Sequence, residues 1–162
     1  MDRTELFRYD KDWPYHVSAG TVTLRKLDDG YEVALLHRGA ENFGEESWHL
    51  PKGTLHNNET LEHIALRETS EEAGIEVKLL GYIGAIQQSW HNKQSGILID
   101  KTTHYFVAKY VGKANKPMDH EHDDLQWLPV AEAKKKTNLE PEQEGVVIDR
   151  ALEFLEKFRI EI

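Results

Sequence analysis

The 162-residue sequence contains no cysteine. Disulfide bonds, iron–sulfur clusters, cysteine-ligated zinc and thiol catalysis are therefore excluded within these residues. The sequence also lacks a run of about 18 apolar residues, which is the length that a membrane-spanning helix needs. Its first residues are charged and have no apolar core of the kind found in signal peptides. These absences favour a protein of the reducing cytoplasm, and we expect a cytoplasmic location.

Basic residues are in the minority, with 20 Lys and Arg against 29 Asp and Glu, so the formal net charge is −9. This charge argues against binding to membranes or to nucleic acid in general, because phosphate groups would be repelled. A small anionic substrate is not excluded, because a bound cation or local Lys and Arg can reverse the field inside a cleft. The sequence leaves both a monomer and a homodimer open.

The length and a hydrophobic content of 39% indicate one domain over residues 1–162, with 1–14 as a peripheral segment. The hydrophobic patterns predict strands at 16–27, 31–37, 77–88 and 102–111 and helices at 60–73, 130–136 and 143–158. Polar, exposed loops are predicted at 38–47 and 89–101. Strands interleaved with helices favour a mixed α/β sandwich over an all-parallel Rossmann sheet.

The segment 53–75, GTLHNNETLEHIALRETSEEAGI, carries the most chemical information. On a helix, Glu68, Glu71 and Glu72 lie at i, i+3 and i+4, which places the three carboxylates on one face. Like charges at this spacing destabilise a helix by roughly 0.2–0.5 kcal/mol per pair. A divalent cation removes that repulsion, and clustered carboxylates suit Mg²⁺ or Mn²⁺. The alternative interpretation is a solvated acidic face with Arg67 as an ordinary ion-pair partner.

The spacing around these acids follows Gly-x5-Glu-x7-Arg-Glu-U-x-Glu-Glu-x-Gly-U, where U is apolar. The residues that fit are Gly53, Glu59, Arg67, Glu68, Glu71, Glu72, Gly74 and Ile75. This segment resembles the signature box of the Nudix hydrolases, with one departure, because Thr69 occupies an apolar position. The resemblance implies a Nudix-type α/β/α sandwich with a mixed β-sheet. It also implies hydrolysis of a nucleoside diphosphate linked to another group, with Mg²⁺ or Mn²⁺ as the cofactor.

The same resemblance implies roles for the acids. Glu71 and Glu72 would bind the metal together with the carbonyl of Gly53. Glu68 would be a further ligand or the base that acts on the attacking water, and Arg67 would contribute to catalysis by holding the acids in place.

Two other residues of the segment are expected to be structural. Glu59 would pair with Arg67, and Gly74 would end the helix, since glycine readily adopts the left-handed conformation found there. No Ser-His-Asp arrangement and no P-loop pattern competes with the metal-dependent interpretation.

The flanks narrow the resemblance to the asymmetric diadenosine tetraphosphate hydrolases of the same family. The matching segments are WHLPKG (48–53), KTTHYF (101–106) and HEH (120–122), followed by Trp127-Leu128. This subgroup resemblance implies cleavage of a dinucleoside polyphosphate to a nucleoside triphosphate and a nucleoside monophosphate. The expected partner is thus a small nucleotide polyphosphate.

The flanks also supply candidate contacts outside the box. Lys101 would bind phosphate, and Tyr105, on the same strand face, would stack on a base or bind a phosphate oxygen. Trp90, in a polar loop, would stack on a base, and Lys52 would contact phosphate or pair with acidic groups. Glu121 would be a further metal ligand or the base. The alternative for Lys101 is a surface lysine, and for Lys52 it is a pairing with the acidic loop. The alternatives for Tyr105, Trp90 and Glu121 are a half-buried strand tyrosine, a loop anchor and a solvated acidic loop.

Two other functions stay open. The first is a Nudix pyrophosphatase for nucleoside triphosphates, nucleotide sugars or the 5′ end of RNA, although the net charge weakens the RNA version. The second is a nucleotide-binding sensor without catalysis. The complete set of acids argues against the sensor, because loss of catalysis would most simply appear as a missing glutamate.

Overall fold

The structure is a computed structural model that describes residues 13–56, 58–138 and 143–162. The elements are β1 (Tyr15–Lys26), β2 (Tyr31–Arg38), α1 (Ala40–Phe43), β3 (Ser47–His49), β4 (Lys52–Thr54), α2 (Leu61–Ala73), β5 (Ile75–His91), β6 (Leu98–Lys113), β7 (Asp124–Pro129), α3 (Val130–Thr137) and α4 (Gly145–Phe158). None of the helices in these ranges is long and apolar enough to cross a membrane.

Seven strands within the described residues form one mixed sheet. Its main order is β3-β2-β1-β6-β5, and β4 pairs with β1 while β7 pairs with β2. The β1–β6 pair is parallel, whereas the other pairs are antiparallel. The prediction of a mixed sheet is therefore confirmed.

Helices cover both faces of the sheet. On one face, Ile64 and Ala65 of α2 pack against Ala19 of β1. On the other face, α3 and α4 contribute Ala133 and Ile148 to the larger core. Because side chains alternate between the two faces of a strand, β1 supplies both cores. The result is the three-layer α/β/α sandwich that the sequence predicts.

The two long strands extend further than the sequence predicts. β5 continues to His91 and β6 begins at Leu98, so the predicted loop 89–101 is reduced to 92–97 and Trp90 lies on a strand. Polar residues are tolerated at the end of β5 because β5 is an edge strand and this end is exposed. The backbone hydrogen bonds between β5 and β6 also do not depend on apolar side chains. The predicted loop 38–47 contains the short helix α1. Most of the predicted peripheral segment 1–14 lies outside the described residues.

β4 positions the start of the acidic segment. It pairs with β1 so that Gly53 lies opposite Ala19. Next to this pair, the N–H of Thr21 donates to the carbonyl of Pro51 at 3.0 Å. These contacts hold the chain against the centre of the sheet just before it enters α2.

Candidate active site

α2 begins and ends where the sequence predicts. The side chain of Thr60 accepts a hydrogen bond from the N–H of His63 at 3.2 Å, which caps the first turn. Gly74 adopts the left-handed conformation, with φ of 64°, and ends the helix. The acids of α2 are therefore carried on a helix with defined ends.

Arg67 is the centre of a network of ion pairs. Its Nε and Nη2 donate to the two carboxylate oxygens of Glu59 at 2.6 and 3.0 Å. Its Nη1 donates to Glu68 at 2.6 Å and to Glu71 at 3.2 Å. Nη2 also donates to the carbonyl of Thr54 at 3.2 Å. The pairing with Glu59 agrees with the prediction, and the planar guanidinium suits several acceptors at once.

Glu68 packs directly on the backbone of Gly53. A Cβ at position 53 would collide with the carboxylate of Glu68, so glycine is required for this contact. The side chain of Glu68 is 13% exposed. Burial raises the pKa of Glu68, and the Arg67 guanidinium opposes that rise.

Glu72 is buried at the inner end of α2. Its Oε2 accepts the N–H of Lys52 at 2.8 Å. Burial raises the pKa of Glu72 to about 8, and the charges of Glu68 and Glu121 add to the rise. A buried carboxylate beside like charges is a position that a cation would stabilise.

Glu71 is the most exposed of the three acids, although its carboxylate shares Nη1 of Arg67 with that of Glu68. Its side chain is 54% exposed, and its carboxylate lies 3.2 Å from Arg67. The reason is helical geometry: relative to Glu68, position 72 is rotated by about 40° one way and position 71 by about 60° the other way. Glu68 and Glu72 therefore face inward, while Glu71 lies on the rim.

A cavity of about 360 Å³ opens in front of Glu68 and Glu72. Its walls carry charges of both signs. The acidic residues are Glu68, Glu72 and Glu121, and the basic residues are Arg38, Lys52 and Lys101. Carboxylates bind hard cations and basic side chains bind phosphate oxygens, so the cavity suits a polyphosphate with its metal ion.

Comparison with known protein families agrees with this geometry. The NUDIX domain model matches residues 14–149. The chain belongs to the NUDIX domain family. The family that the sequence predicts is thus confirmed, and so is the Nudix α/β/α fold, because solved Nudix structures superpose on the chain.

Two relatives and one solved structure show how the chain compares with other Nudix proteins. An NAD-capped RNA hydrolase, NudC of Chromobacterium violaceum, is 33% identical over 70% of this chain and 42% of its own length. The asymmetrical bis(5′-nucleosyl)-tetraphosphatase of Caenorhabditis elegans is 29% identical over 73% of this chain and 82% of its own length. The structure of a C. elegans Ap4A hydrolase binary complex has a TM-score of 0.68 and 25% identity, and the match covers 88% of this chain and 99% of that chain. The chain thus spans less than half the length of some curated relatives and most of the tetraphosphatase.

The oxygen donors around the cavity fit the predicted divalent cation. In the part of the chain that the structure describes, no three acidic or histidine side chains are close enough to hold an ion as they stand. Glu68 and Glu72 nevertheless supply two buried carboxylates with raised pKa values, which a nearby cation would lower. Glu121 lines the same cavity, and its charge contributes to the raised pKa of Glu72. This donor set consists of hard oxygen ligands, as Mg²⁺ and Mn²⁺ prefer.

Tyr105 is not a substrate contact, and this prediction is wrong. It shares a strand face with Lys101, as expected, but it is only 1% exposed. Its hydroxyl donates to Glu144 at 2.8 Å. Because Tyr105 belongs to the core beneath α4, its ring cannot stack on a base and its hydroxyl does not face the cavity.

Lys52 lines the cavity, but its charge is engaged inside the protein. Its Nζ lies 2.6 Å from the carboxylate of Glu144, and its side chain is 11% exposed. Lys52 thus pairs with an acid, as one of the predicted alternatives has it, but the acid is Glu144, which immediately precedes α4, and not a residue of the acidic loop. A role in holding the backbone is therefore better supported than phosphate binding.

Lys101 and Trp90 stay candidates for substrate contact. Lys101 lines the cavity. Gln88 lies opposite Lys101 and Trp90 lies opposite Ile99, so Trp90 and Lys101 project from the same sheet face. The Trp90 side chain is 42% exposed and meets the His16 ring edge-on at 6.1 Å. An exposed indole on the same sheet face as Lys101 is suited to stacking on a base.

Three cavity residues lie outside the sequence predictions. Arg38, which the sequence places at the start of an exposed loop, donates from Nε to the carbonyl of Glu121 at 2.8 Å. His122 is only 7% exposed, and its ring lies 6.2 Å from that of His49. Arg38 and His122 stand next to polar residues, so no local pattern points them inward. His49 stands between Trp48 and Leu50, and it and His122 belong to the quoted segments WHLPKG and HEH, but the sequence predicts no site role for either histidine.

Thr69, the departure from the family pattern, is buried in a chain of hydroxyl groups. Its Oγ1 lies 2.8 Å from that of Thr21, which lies 2.9 Å from that of Thr23. Two threonines of β1 thus provide hydrogen-bond partners for the hydroxyl of Thr69, which occupies a position that is apolar in the family pattern. By contrast, the buried Oγ1 of Thr103 on the opposite face has no hydrogen-bond partner among the described residues.

Thr103→Val and Thr69→Val should therefore change stability in opposite directions. Valine keeps the shape of threonine and removes only the hydroxyl. We expect Thr103→Val to raise the free energy of unfolding by about 1 kcal/mol and Thr69→Val to lower it by about 1 kcal/mol. Urea unfolding followed by circular dichroism measures both changes. A Thr103→Val variant that is less stable than the parent would show that the hydroxyl is paired.

Proposed function

We propose that the chain hydrolyses a phosphoanhydride bond in nucleoside diphosphates linked to another group, with Mg²⁺ or Mn²⁺ held by the acids of α2. The observation that carries the proposal is the buried pair Glu68 and Glu72, which line one cavity together with Arg38 and Lys101. Two buried carboxylates are costly without a cation, and a polyphosphate requires both cations and basic side chains. The complete set of box acids supports catalysis over a sensing role.

The metal ion, when bound, neutralises phosphate oxygens and acidifies a water molecule. The ligands that we propose are Glu72, Glu121 and the carbonyl of Gly53, with the rim carboxylate of Glu71 as a further one. Lys101 and Arg38, which line the same cavity, would hold the phosphate chain.

Glu68 is the base that we propose. Its carboxylate is held by Nη1 of Arg67 at 2.6 Å and packs on Gly53. Burial raises its pKa toward the working pH, which favours proton transfer from water. Glu121 is less suited, because its side chain is exposed and its hydrogen bonds to Asp119 and Arg38 are made by its backbone.

Dinucleoside polyphosphates are the substrate class that we propose. Similarity to the tetraphosphatase, which extends over most of both chains, supports this choice. The exposed Trp90 indole, on the same sheet face as Lys101, provides a surface on which a nucleoside base would stack, worth about 1–3 kcal/mol. The products would be a nucleoside triphosphate and a nucleoside monophosphate.

A substrate panel tests this proposal. With Mg²⁺, we expect diadenosine tetraphosphate to be cleaved to ATP and AMP with a kcat/KM at least about tenfold above those for nucleoside triphosphates, nucleotide sugars and capped RNA. Product chromatography and initial rates measure these values. Faster cleavage of another member of the panel would reassign the substrate and keep the chemistry. Cleavage of no member with either metal would overturn the proposal in favour of a nucleotide-binding sensor.

Trp90→Ala and Trp13→Ala form a matched pair within the same assay. Both indoles are exposed, at 42% and 44%, but Trp13 packs on Tyr15, which projects from the opposite sheet face to His16. We expect Trp90→Ala to raise KM about tenfold with little change in kcat. Trp13→Ala should leave both constants unchanged. Equal effects of the two changes would remove Trp90 from the substrate site.

A further inference from the structure

Glu144 is a buried carboxylate that none of the roles above uses. It is 1% exposed and immediately precedes α4, with its N–H donating to the carbonyl of Thr137 at 2.9 Å. A residue at this position commonly caps its helix, but the Glu144 side chain makes no capping hydrogen bond. The carboxylate is directed to the strands instead.

Three hydrogen-bond donors surround this carboxylate. Oε1 accepts from Nζ of Lys52 at 2.6 Å and from the hydroxyl of Tyr105 at 2.8 Å. Oε2 accepts from the backbone N–H of Leu50 at 2.8 Å. Because all three partners donate, the position requires an acceptor on both oxygens. An amide side chain would place its own N–H against a donor.

Lys52 links Glu144 to the acids of α2. The ammonium of Lys52 is bound to Glu144, while the backbone N–H of Lys52 donates to Oε2 of Glu72 at 2.8 Å. Gly53, the next residue, is the one on which Glu68 packs. The conformation of residues 50–53 therefore fixes where both inward carboxylates lie.

We propose that Glu144 is a positioning residue that holds residues 50–53 in place and thereby sets the geometry of the metal-binding acids. The inference rests on the proposed function, because it concerns the acids that would bind the metal. It assigns a role to the residue that precedes α4, which is far along the sequence from the acids that it positions.

A purely stabilising role does not account for this arrangement. Taking an ammonium and a carboxylate out of water is costly, and apolar residues of similar volume frequently stabilise a protein at least as well as a buried ion pair. What apolar residues cannot provide is a fixed acceptor for the N–H of Leu50 together with a tether for Lys52. Positional control over a backbone segment is what the charged pair adds.

Glu144→Gln tests the proposal through Mn²⁺ binding, which requires no substrate. We expect the Kd for Mn²⁺, measured by calorimetric titration, to rise about 10-fold or more, as when groups that support metal ligands are changed. Amide hydrogen exchange at Leu50 and Lys52 should become faster, with protection of the β1–β6 ladder retained. Tyr105→Phe removes one donor and keeps the ring, so a smaller rise in Kd is expected.

Asp149→Asn is the matched control. Asp149 is also on α4 and also pairs with a lysine, at 2.5 Å from Nζ of Lys134, but the pair is half exposed and does not line the cavity. The Kd for Mn²⁺ should not change. An unchanged Kd in Glu144→Gln, or an equal rise in Asp149→Asn, would overturn the inference.

A second variant separates positioning from stability. Glu144→Gln leaves the buried ammonium of Lys52 without its carboxylate, so it is expected to lower the melting temperature. Adding Lys52→Met removes that charge and should recover much of the loss, while the Kd for Mn²⁺ stays high because the tether is still missing. Parent-like Mn²⁺ binding in this double variant would contradict the inference. A parent that binds no Mn²⁺ would refute the proposed function itself.

Discussion

Glu72→Gln is expected to lower hydrolysis by about 10³-fold, which corresponds to about 4 kcal/mol of transition-state stabilisation. The same change should make the metal-free protein more stable above neutral pH. Both effects follow from the burial of Glu72, which disfavours its charged form in the absence of a cation. Glutamine keeps an oxygen that can accept the Lys52 N–H at the position where Glu72 accepts it, so the fold should be retained.

The pH dependence follows from the direction in which burial moves the pKa. Burial raises the pKa of Glu72 from 4.5 to about 8 in the folded protein. A group with a raised pKa contributes its full stability below the unfolded value and loses it as the pH rises through the folded value. The metal-free parent should therefore lose stability between about pH 4.5 and pH 8. The glutamine variant should lose less, and the two should differ by a few kcal/mol at pH 8.5, because a tenfold change in proton affinity corresponds to about 1.4 kcal/mol.

Urea unfolding with chelator at pH 5 and pH 8.5 measures this difference, and repetition with Mn²⁺ completes the test. Mn²⁺ should stabilise the parent strongly and the variant weakly, since ligand binding to the folded state alone raises stability. Glu62→Gln is the control, because Glu62 lies in the first turn of α2 and is exposed. If the parent and Glu72→Gln were equally stable at both pH values, ionisation of Glu72 would cost the folded protein nothing, and its carboxylate would not be destabilised by burial.

Local patterns are sufficient to predict the part of the site that lies on α2. The helix has an N-cap at Thr60, a terminating glycine at position 74 and an apolar stripe with Ile64 and Ala65 facing the sheet. All three depend on residues a few positions apart, which is the range over which sequence periodicity carries information. The pairing of Arg67 with Glu59, eight residues away, is implied by the family resemblance and not by periodicity.

Contacts between distant segments are not predictable from one sequence. In the sequence, Glu144 follows PEQ (141–143), and a polar, acidic stretch of this kind is typical of a solvent-exposed segment. Only the fold shows that Glu144 pairs with Lys52. For Tyr105, strand alternation predicts the face but not the depth, and α4 covers that position. For Trp90, the polar neighbours predict a loop, whereas the structure has an edge strand there. The backbone hydrogen bonds of that strand do not require apolar side chains.

Arg67→Lys should combine a large loss of stability with a loss of activity. The guanidinium donates to both oxygens of Glu59 and also to Glu68, Glu71 and the carbonyl of Thr54. A lysine ammonium is a point charge on a flexible stem and cannot reproduce that fork. We expect the free energy of unfolding to fall by roughly 2–4 kcal/mol, near the cost of breaking a buried ion pair. Because Glu68 would no longer be held, kcat should fall by about 100-fold.

The contribution of Glu59 to the free energy of unfolding depends on pH in the opposite direction to that of Glu72. The hydrogen bond from Arg67 lowers the pKa of Glu59 below 4.5, so Glu59 contributes stability above that pH, and the contribution is lost as the pH falls through the folded value. The difference between the parent and Arg67→Lys should therefore be large at pH 7 and should shrink below about pH 4. Urea unfolding at pH 7 and pH 3.5 measures it.

Arg25→Lys is the matched control for Arg67→Lys. Arg25 pairs through Nε with the carboxylate of Glu32 at 2.6 Å across the β1–β2 hairpin, and it does not line the cavity. Its guanidinium also lies 4.3 Å from the centroid of the Trp127 ring, a cation–π contact that a lysine ammonium can also make. A lysine at position 25 can still form an ion pair with Glu32 at this partly exposed position. The free energy of unfolding should therefore fall by less than about 1 kcal/mol, and activity should be unchanged. If Arg67→Lys were as stable as Arg25→Lys and still inactive, the guanidinium would act on the substrate rather than on the acids. If both variants were active, Glu68 would not depend on Arg67 for its position.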